Sequence, residues 1–187
     1  MMMHERADIM IDVKGSELKA IITTDIDLEH EACEDVENIL FYVTPNASCM
    51  PLEREGLALV FAEKGVDSTS LAKILAKNRI RGYWVYPVHK SCNASYEDVA
   101  RCVFELLLLS NMSKPIRVLG KCRKRRLSID SCTRLLRYVM TPIESLNIAT
   151  VDFERPEYIL RIEIIHNIAA ISLYQASEEK LFKVQRI

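Results

Sequence analysis

From Lys114 to Arg137 the chain carries nine basic residues, Lys114, Arg117, Lys121, Arg123, Lys124, Arg125, Arg126, Arg134 and Arg137, against one acid, Asp130. Their order predicts a strand, Ile116–Gly120, then a basic loop, Lys121–Arg126, then a helix start with Ser128 and Ser131. A phosphate placed there would meet guanidinium and ammonium groups, the open N–H groups of a first helical turn, and two hydroxyls. Arg134 and Arg137 lie three apart and so share a helix face. Arginine outnumbers lysine between Lys121 and Arg126, which suits forked phosphate contacts and base stacking. Arg161, on a later strand, would widen the surface. The bland alternative is a solvated basic loop paired with acidic groups of the same chain. The position of the run, between a strand and a helix start, favours a polyanionic partner.

Other residues offer weaker chemistry. The six cysteines (Cys33, Cys49, Cys92, Cys102, Cys122, Cys132) contain no CxxC pair. With no secretory signal in Met1–Met10, they are expected to be reduced thiols filling the core. Among them Cys122 has the most cationic surroundings and would be the candidate nucleophile. The four histidines are as scattered as the cysteines, so no metal site is expected. Asp25, Asp27 and Glu29 read more simply as helix capping and dipole complements than as metal ligands. Arg161 and Glu163 alternate onto one strand face and read as a structural ion pair rather than a catalytic one. Trp84, with Tyr83 and Tyr86 beside it, reads as a core or inter-domain residue rather than a base-stacking one. The five glycines are dispersed, with no phosphate-binding loop and no nucleobase-deaminase signature. No cofactor is expected.

These residues need a scaffold. Hydrophobic residues make up 49% and charged residues 27%, which argues against a disordered chain. Residues 1–90 hold 10 Lys+Arg against 15 Asp+Glu, and residues 91–187 hold 15 against 11. The halves therefore carry −5 and +4, recovering the net −1 and suggesting two units with the polyanion meeting the second. A short strand is predicted at Ile9–Val13. Strands at Leu18–Thr24, Ala47–Pro51, Leu57–Ala62 and Tyr83–Val88 then alternate with helices Leu28–Val43, capped by Asp25 or Asp27, and Thr69–Lys77, capped by Ser68. That β-α-β-β-α-β order is ferredoxin-like. Ser95 caps a helix from Tyr96 to Ser110. After the basic loop, a helix near Ser131–Leu146, capped by Ser128 or Asp130, should kink or split at Pro142. Strands at Ile148–Val151, Tyr158–Ile165 and Ile168–Tyr174 follow, the last two joined by a His166–Asn167 turn.

The stretch from Asn93 to Tyr174 resembles a THUMP domain. The resemblance is carried by Cys122–Arg126 at a strand end, Ser128 and Ser131 at a helix start, Val151-Asp152-Phe153 with Pro156, and Arg161-Ile162-Glu163. It implies an α+β chain, with a ferredoxin-like domain over residues 1–92 followed by a THUMP domain over 93–187. It also implies tRNA binding at the acceptor stem and 3′ end through Lys121, Arg123, Lys124, Arg125, Arg126, Ser128, Ser131, Arg134, Arg137 and Arg161. The nearest type is the stand-alone, cytoplasmic, non-catalytic adaptor that serves a separate tRNA acetyltransferase making N4-acetylcytidine. The competing expectations are an RNA-modifying enzyme with an unrecognised site and a protein–protein scaffold.

Overall fold

The computed structural model describes residues 12, 13, 15–110, 112, 115–125 and 129–185. It is a mixed α and β chain with two five-stranded sheets. In the first sheet, β2 (Ser16–Thr23) pairs antiparallel with β4 (Leu57–Glu63), and β4 pairs with β3 (Ser48–Leu52). On its other edge β2 takes β1 (Asp12–Val13) and then β5 (Trp84–Pro87), both antiparallel. The residues Leu57–Ala62 are buried without interruption, because this strand is covered on both faces. Helices α1 (Glu29–Val43) and α2 (Ser68–Lys77) cover one face, placing Val36, Leu40, Leu71 and Leu75 against Ala20, Ile22, Ala58 and Val60.

Helix capping differs from expectation. Leu28, not Asp25 or Asp27, stands at the start of α1 and contributes no side-chain cap, and Asp27 sits at φ 71°. Glu29 folds inward instead, accepting the backbone N–H groups of Gly56 at 2.7 Å and Glu55 at 3.0 Å. Gly56 turns at φ +63°, and a Cβ there would lie 2.8 Å from the Thr24 carbonyl oxygen, so the turn needs glycine. Asp67 caps α2 by accepting from Ser70 N–H, while Ser68 is buried and donates to the Val88 carbonyl.

The second sheet has the order β6 (Lys90–Asn93), β10 (Ile168–Gln175), β9 (Tyr158–Ile165), β7 (Ile116–Arg125), β8 (Ala149–Val151). β9 and β10 form a hairpin; β7 runs parallel to both β8 and β9. Helices α3 (Tyr96–Leu109) and α4 (Cys132–Ser145) pack Val99, Val103, Leu107, Leu135 and Val139 onto Val118, Leu160, Ile162 and Ile171. Each such side chain taken fully from water contributes about 1.5–3 kcal/mol. Ser95 caps α3 as its type predicts, accepting from Asp98 N–H. Pro142 neither splits nor ends α4; the helix closes at Ser145, so the N–H lost at Pro142 falls in its last turn.

The far face of the second sheet meets the open face of the first. Ile165, Ile168 and Ala170 pack with Leu18, Ile21, Leu57, Leu59 and Phe61. A 3-10 helix, Ala176–Phe182, then returns the chain to the first sheet, burying Phe182 and Val184 beside Leu75 and Val85. His89 joins the halves: one ring nitrogen accepts from Leu173 N–H at 3.0 Å and the other donates to Thr69 Oγ1 at 2.9 Å.

Candidate nucleic-acid interface

The basic run is strand, not loop. β7 continues through it to Arg125 and stays paired with β9 residue by residue, Lys121 opposite Arg161 and Arg123 opposite Glu163. A strand alternates its side chains, so the run cannot present every cation on one side. Lys121, Arg123 and Arg125 share the face turned toward the inter-sheet side, and Lys124 takes the other. Lys121 Nζ pairs with Glu179 at 2.6 Å, and Arg125 Nη1 donates to the Glu55 carbonyl at 3.3 Å. Burial pulls the Arg125 pKa below the ordinary guanidinium value, and the nearby Arg123 charge adds to this.

Arg161 is the centre of that layer. It pairs with Glu163 at 2.9 Å and Glu179 at 3.4 Å, donates to the Tyr174 hydroxyl at 3.3 Å, and lies 3.9 Å from the Tyr86 ring centroid. Its side chain is 12% exposed. Burial opposes its charge, yet Tyr174, Tyr86 and Glu163 together raise its pKa. Burial dominates at Glu163 and pushes its carboxyl up despite Arg161. The ion-pair reading of these two residues therefore holds, whereas Lys121, Arg125 and Arg161 are not open phosphate contacts. Trp84 stacks on Tyr86 at the border of this layer, in keeping with an inter-domain role.

Four of the expected cations do face solvent. Arg123 and Arg137 are exposed. Lys124 is exposed and donates to the carbonyls of Ile129 at 3.2 Å and Asp130 at 2.6 Å. Arg134 is 76% exposed and pairs with Asp130 at 2.9 Å. Ser131 is the N-cap of α4, its hydroxyl accepting from Arg134 N–H at 3.3 Å. Arg126 and Ser128 lie outside the described residues. A disulfide between Cys122 and Cys132 fastens the strand end to the first turn of α4.

That bond corrects the expectation of reduced core thiols. Cys33 and Cys49 are likewise joined, tying α1 to β3. Scattered spacing hid both pairs because the partners meet only after the chain folds back. Cys122 is therefore no thiolate nucleophile here. Cys92 and Cys102 are free, buried and hydrogen-bonded to each other, which pushes the Cys92 thiol up and brings that of Cys102 down to about 7. Among the described residues no three His, Cys, Asp or Glu side chains gather as a metal set.

Sequence reading missed an aromatic groove beside the open cations. Tyr96 begins α3 and Tyr138 lies on α4, their rings edge-to-face with centroids 5.4 Å apart. The Tyr96 hydroxyl donates to the Asp130 carboxylate, which holds that carboxyl below its ordinary pKa. The rings, with Ala100, Arg134, Arg137 and Pro142, line a groove of about 610 Å³. Two tyrosines distant in sequence give no signal until the helices containing them are packed.

No protein-family model and no curated protein sequence matches the chain. Solved structures do. PH1313 from Pyrococcus horikoshii Ot3 superposes with a TM-score of 0.64 at 18% identity, over 84% of this chain and 54% of that one. TrmN from Thermus thermophilus gives 0.58 at 16% identity, over 84% and 45%. A 4-thiouridine synthetase solved with RNA and bound ATP gives 0.55 at 14%, over 84% and 41%. The chain spans about half the length of these proteins, and at such identities the likeness is one of fold.

Proposed function

We propose that this chain is a non-catalytic RNA-binding protein of the THUMP kind that holds tRNA by its acceptor stem and 3′ end for a separate modifying enzyme. The observation that carries this reading is the open cation row, Lys124, Arg134 and Arg137, running from the end of β7 onto α4, with Arg123 exposed on the other face of the strand. An exposed Arg–carboxylate pair such as Arg134 with Asp130 is worth no more than about 1 kcal/mol, so a phosphate can displace it. Ser131 and the first amides of α4 add neutral donors beside those cations. Arg126 and Ser128 join the proposed contacts on the resemblance alone. Lys121, Arg125 and Arg161 serve as the layer that holds β7 and β9 in place.

The fold shared with a synthetase solved as an RNA complex supports the reading, as do the motifs between Asn93 and Tyr174. The strand order β5-β2-β4-β3, antiparallel throughout, supports a ferredoxin-like unit within residues 1–92; the proposed THUMP unit, 93–187, takes β6 at Lys90–Asn93 into its sheet as well. Among the described residues no helix is long and apolar enough to cross a membrane. A cytoplasmic setting and an acetyltransferase partner complete the proposal. Gel shift of the purified chain with whole tRNA and with tRNA lacking its 3′ end tests it. Tighter binding of the whole molecule is expected; equal binding removes the 3′-end contact, and no binding removes the function.

A further inference from the structure

The groove between α3 and α4 holds features that phosphate neutralisation does not use. Tyr138 is 47% exposed, and its hydroxyl has no hydrogen-bond partner among the described residues. A tyrosine ring offers a flat apolar face with a polar edge, the kind of side chain enriched at interfaces. Tyr96 is fixed in place by its hydrogen bond to Asp130, so the second ring is preorganised. Ala100 and Pro142 supply an apolar floor, and the volume of about 610 Å³ lies within the range of roughly 300–1,000 Å³ typical of ligand sites.

Charge states what fits. Arg134 and Arg137 stand at the rim, and no carboxylate belongs to the groove lining itself. Asp130 links the groove to the cation row: its backbone carbonyl accepts from Lys124 while its carboxylate accepts from Tyr96 and Arg134. An RNA strand whose phosphates follow Lys124 and Arg134 therefore arrives at two aromatic rings. Duplex RNA keeps its base faces stacked inside, so only unpaired nucleotides can offer faces to those rings.

We propose that this groove stacks the bases of unpaired RNA on Tyr138 and Tyr96, with Arg134 and Arg137 holding the adjoining phosphates. The inference rests on the RNA-binding reading above and adds to it a requirement for exposed bases. Discrimination between unpaired and paired RNA then resides in the tyrosines, and salt sensitivity in the arginines.

Fluorescence anisotropy on the full chain tests this with a labelled mixed-sequence single strand, its duplex, and the same single strand carrying abasic sites. Tyr138→Leu keeps an apolar side chain on the helix surface, and Tyr138→Phe keeps the ring. Tyr138→Leu is expected to weaken single-strand binding about five-fold or more, the lower end for a lost base stack. Its slope of log K against log salt and its duplex binding should stay as in the wild type. Tyr138→Phe should bind like wild type, and abasic RNA should bind wild type and Tyr138→Leu equally weakly. Unchanged single-strand binding by Tyr138→Leu overturns the groove proposal while leaving RNA binding intact, as does an equal loss on duplex. Failure of the wild type to bind any of the three RNAs overturns both.

Discussion

The open and internal cations of β7 and α4 should separate cleanly in a salt titration. Arg123, Lys124, Arg134 and Arg137 face solvent, whereas Lys121 and Arg161 are held by Glu179 and Glu163. Each phosphate neutralised by an open cation releases condensed counterions, and adds roughly −0.7 on single strands to −0.9 on duplex to the slope of log K against log salt. Four such contacts predict a slope near −3, or an affinity loss of about 60-fold between roughly 50 and 200 mM salt. Arg137→Gln should flatten the slope by about one contact, ~0.7–0.9, because its side chain is exposed and makes no ion pair among the described residues. Lys121→Gln should leave the slope unchanged, since its ammonium already has a carboxylate at 2.6 Å and Glu179 keeps Arg161 as a second partner. Anisotropy with labelled tRNA at five salt concentrations measures both. A wild-type slope shallower than about −1, or equal flattening by Lys121→Gln and Arg137→Gln, would refute the division of cations and with it the interface.

Three further outcomes follow from the packing. The Cys122–Cys132 bond closes a loop of sequence separation 10, for which chain entropy gives about 2.8 kcal/mol, so Cys122→Ala/Cys132→Ala should lower the urea-unfolding free energy by about that much. Thiol titration of the unfolded, unreduced chain should find Cys92 and Cys102 only; six reactive thiols would refute the pairing. Arg161→Ala strands the buried Glu163 carboxylate and should cost about 3–5 kcal/mol, while Arg161→Met/Glu163→Leu should recover most of it; a single variant as stable as wild type would mean the pair contributes nothing. Burial lowers the His89 pKa, with Asp67 opposing, so its contribution to stability is complete above the unfolded-state value of about 6.5. That contribution should be lost as pH falls below that value, and the loss should level off beneath the folded pKa. Thermal melts of His89→Gln should lose this part of the pH dependence; an identical pH profile would place the titration elsewhere.

Much of the element order was legible in the residues themselves. Alternation and turn chemistry suffice for the β9–β10 hairpin around His166 and Asn167, and the Ser95 cap marks the start of α3 because its hydroxyl suits a helix entry. A run rich in lysine and arginine reads locally as loop. β7 nevertheless extends through it, since β9 offers a parallel hydrogen-bonding partner that no local pattern reveals. Hidden with it was β6, four residues that pair with β10 only because the second sheet has an edge there.

The amino-acid sequence alone determined where the positive charge is concentrated, because composition does not depend on how the chain folds. Which of those charges can reach a partner was decided by tertiary structure. Lys121 and Arg125 are drawn to Glu179 and Glu55, whereas Arg123, on the same strand face, stays exposed. The disulfides, the Arg161 layer and the tyrosine groove all join residues distant along the chain. Such proximity arises from packing two sheets and their helices together, and no local spacing encodes it.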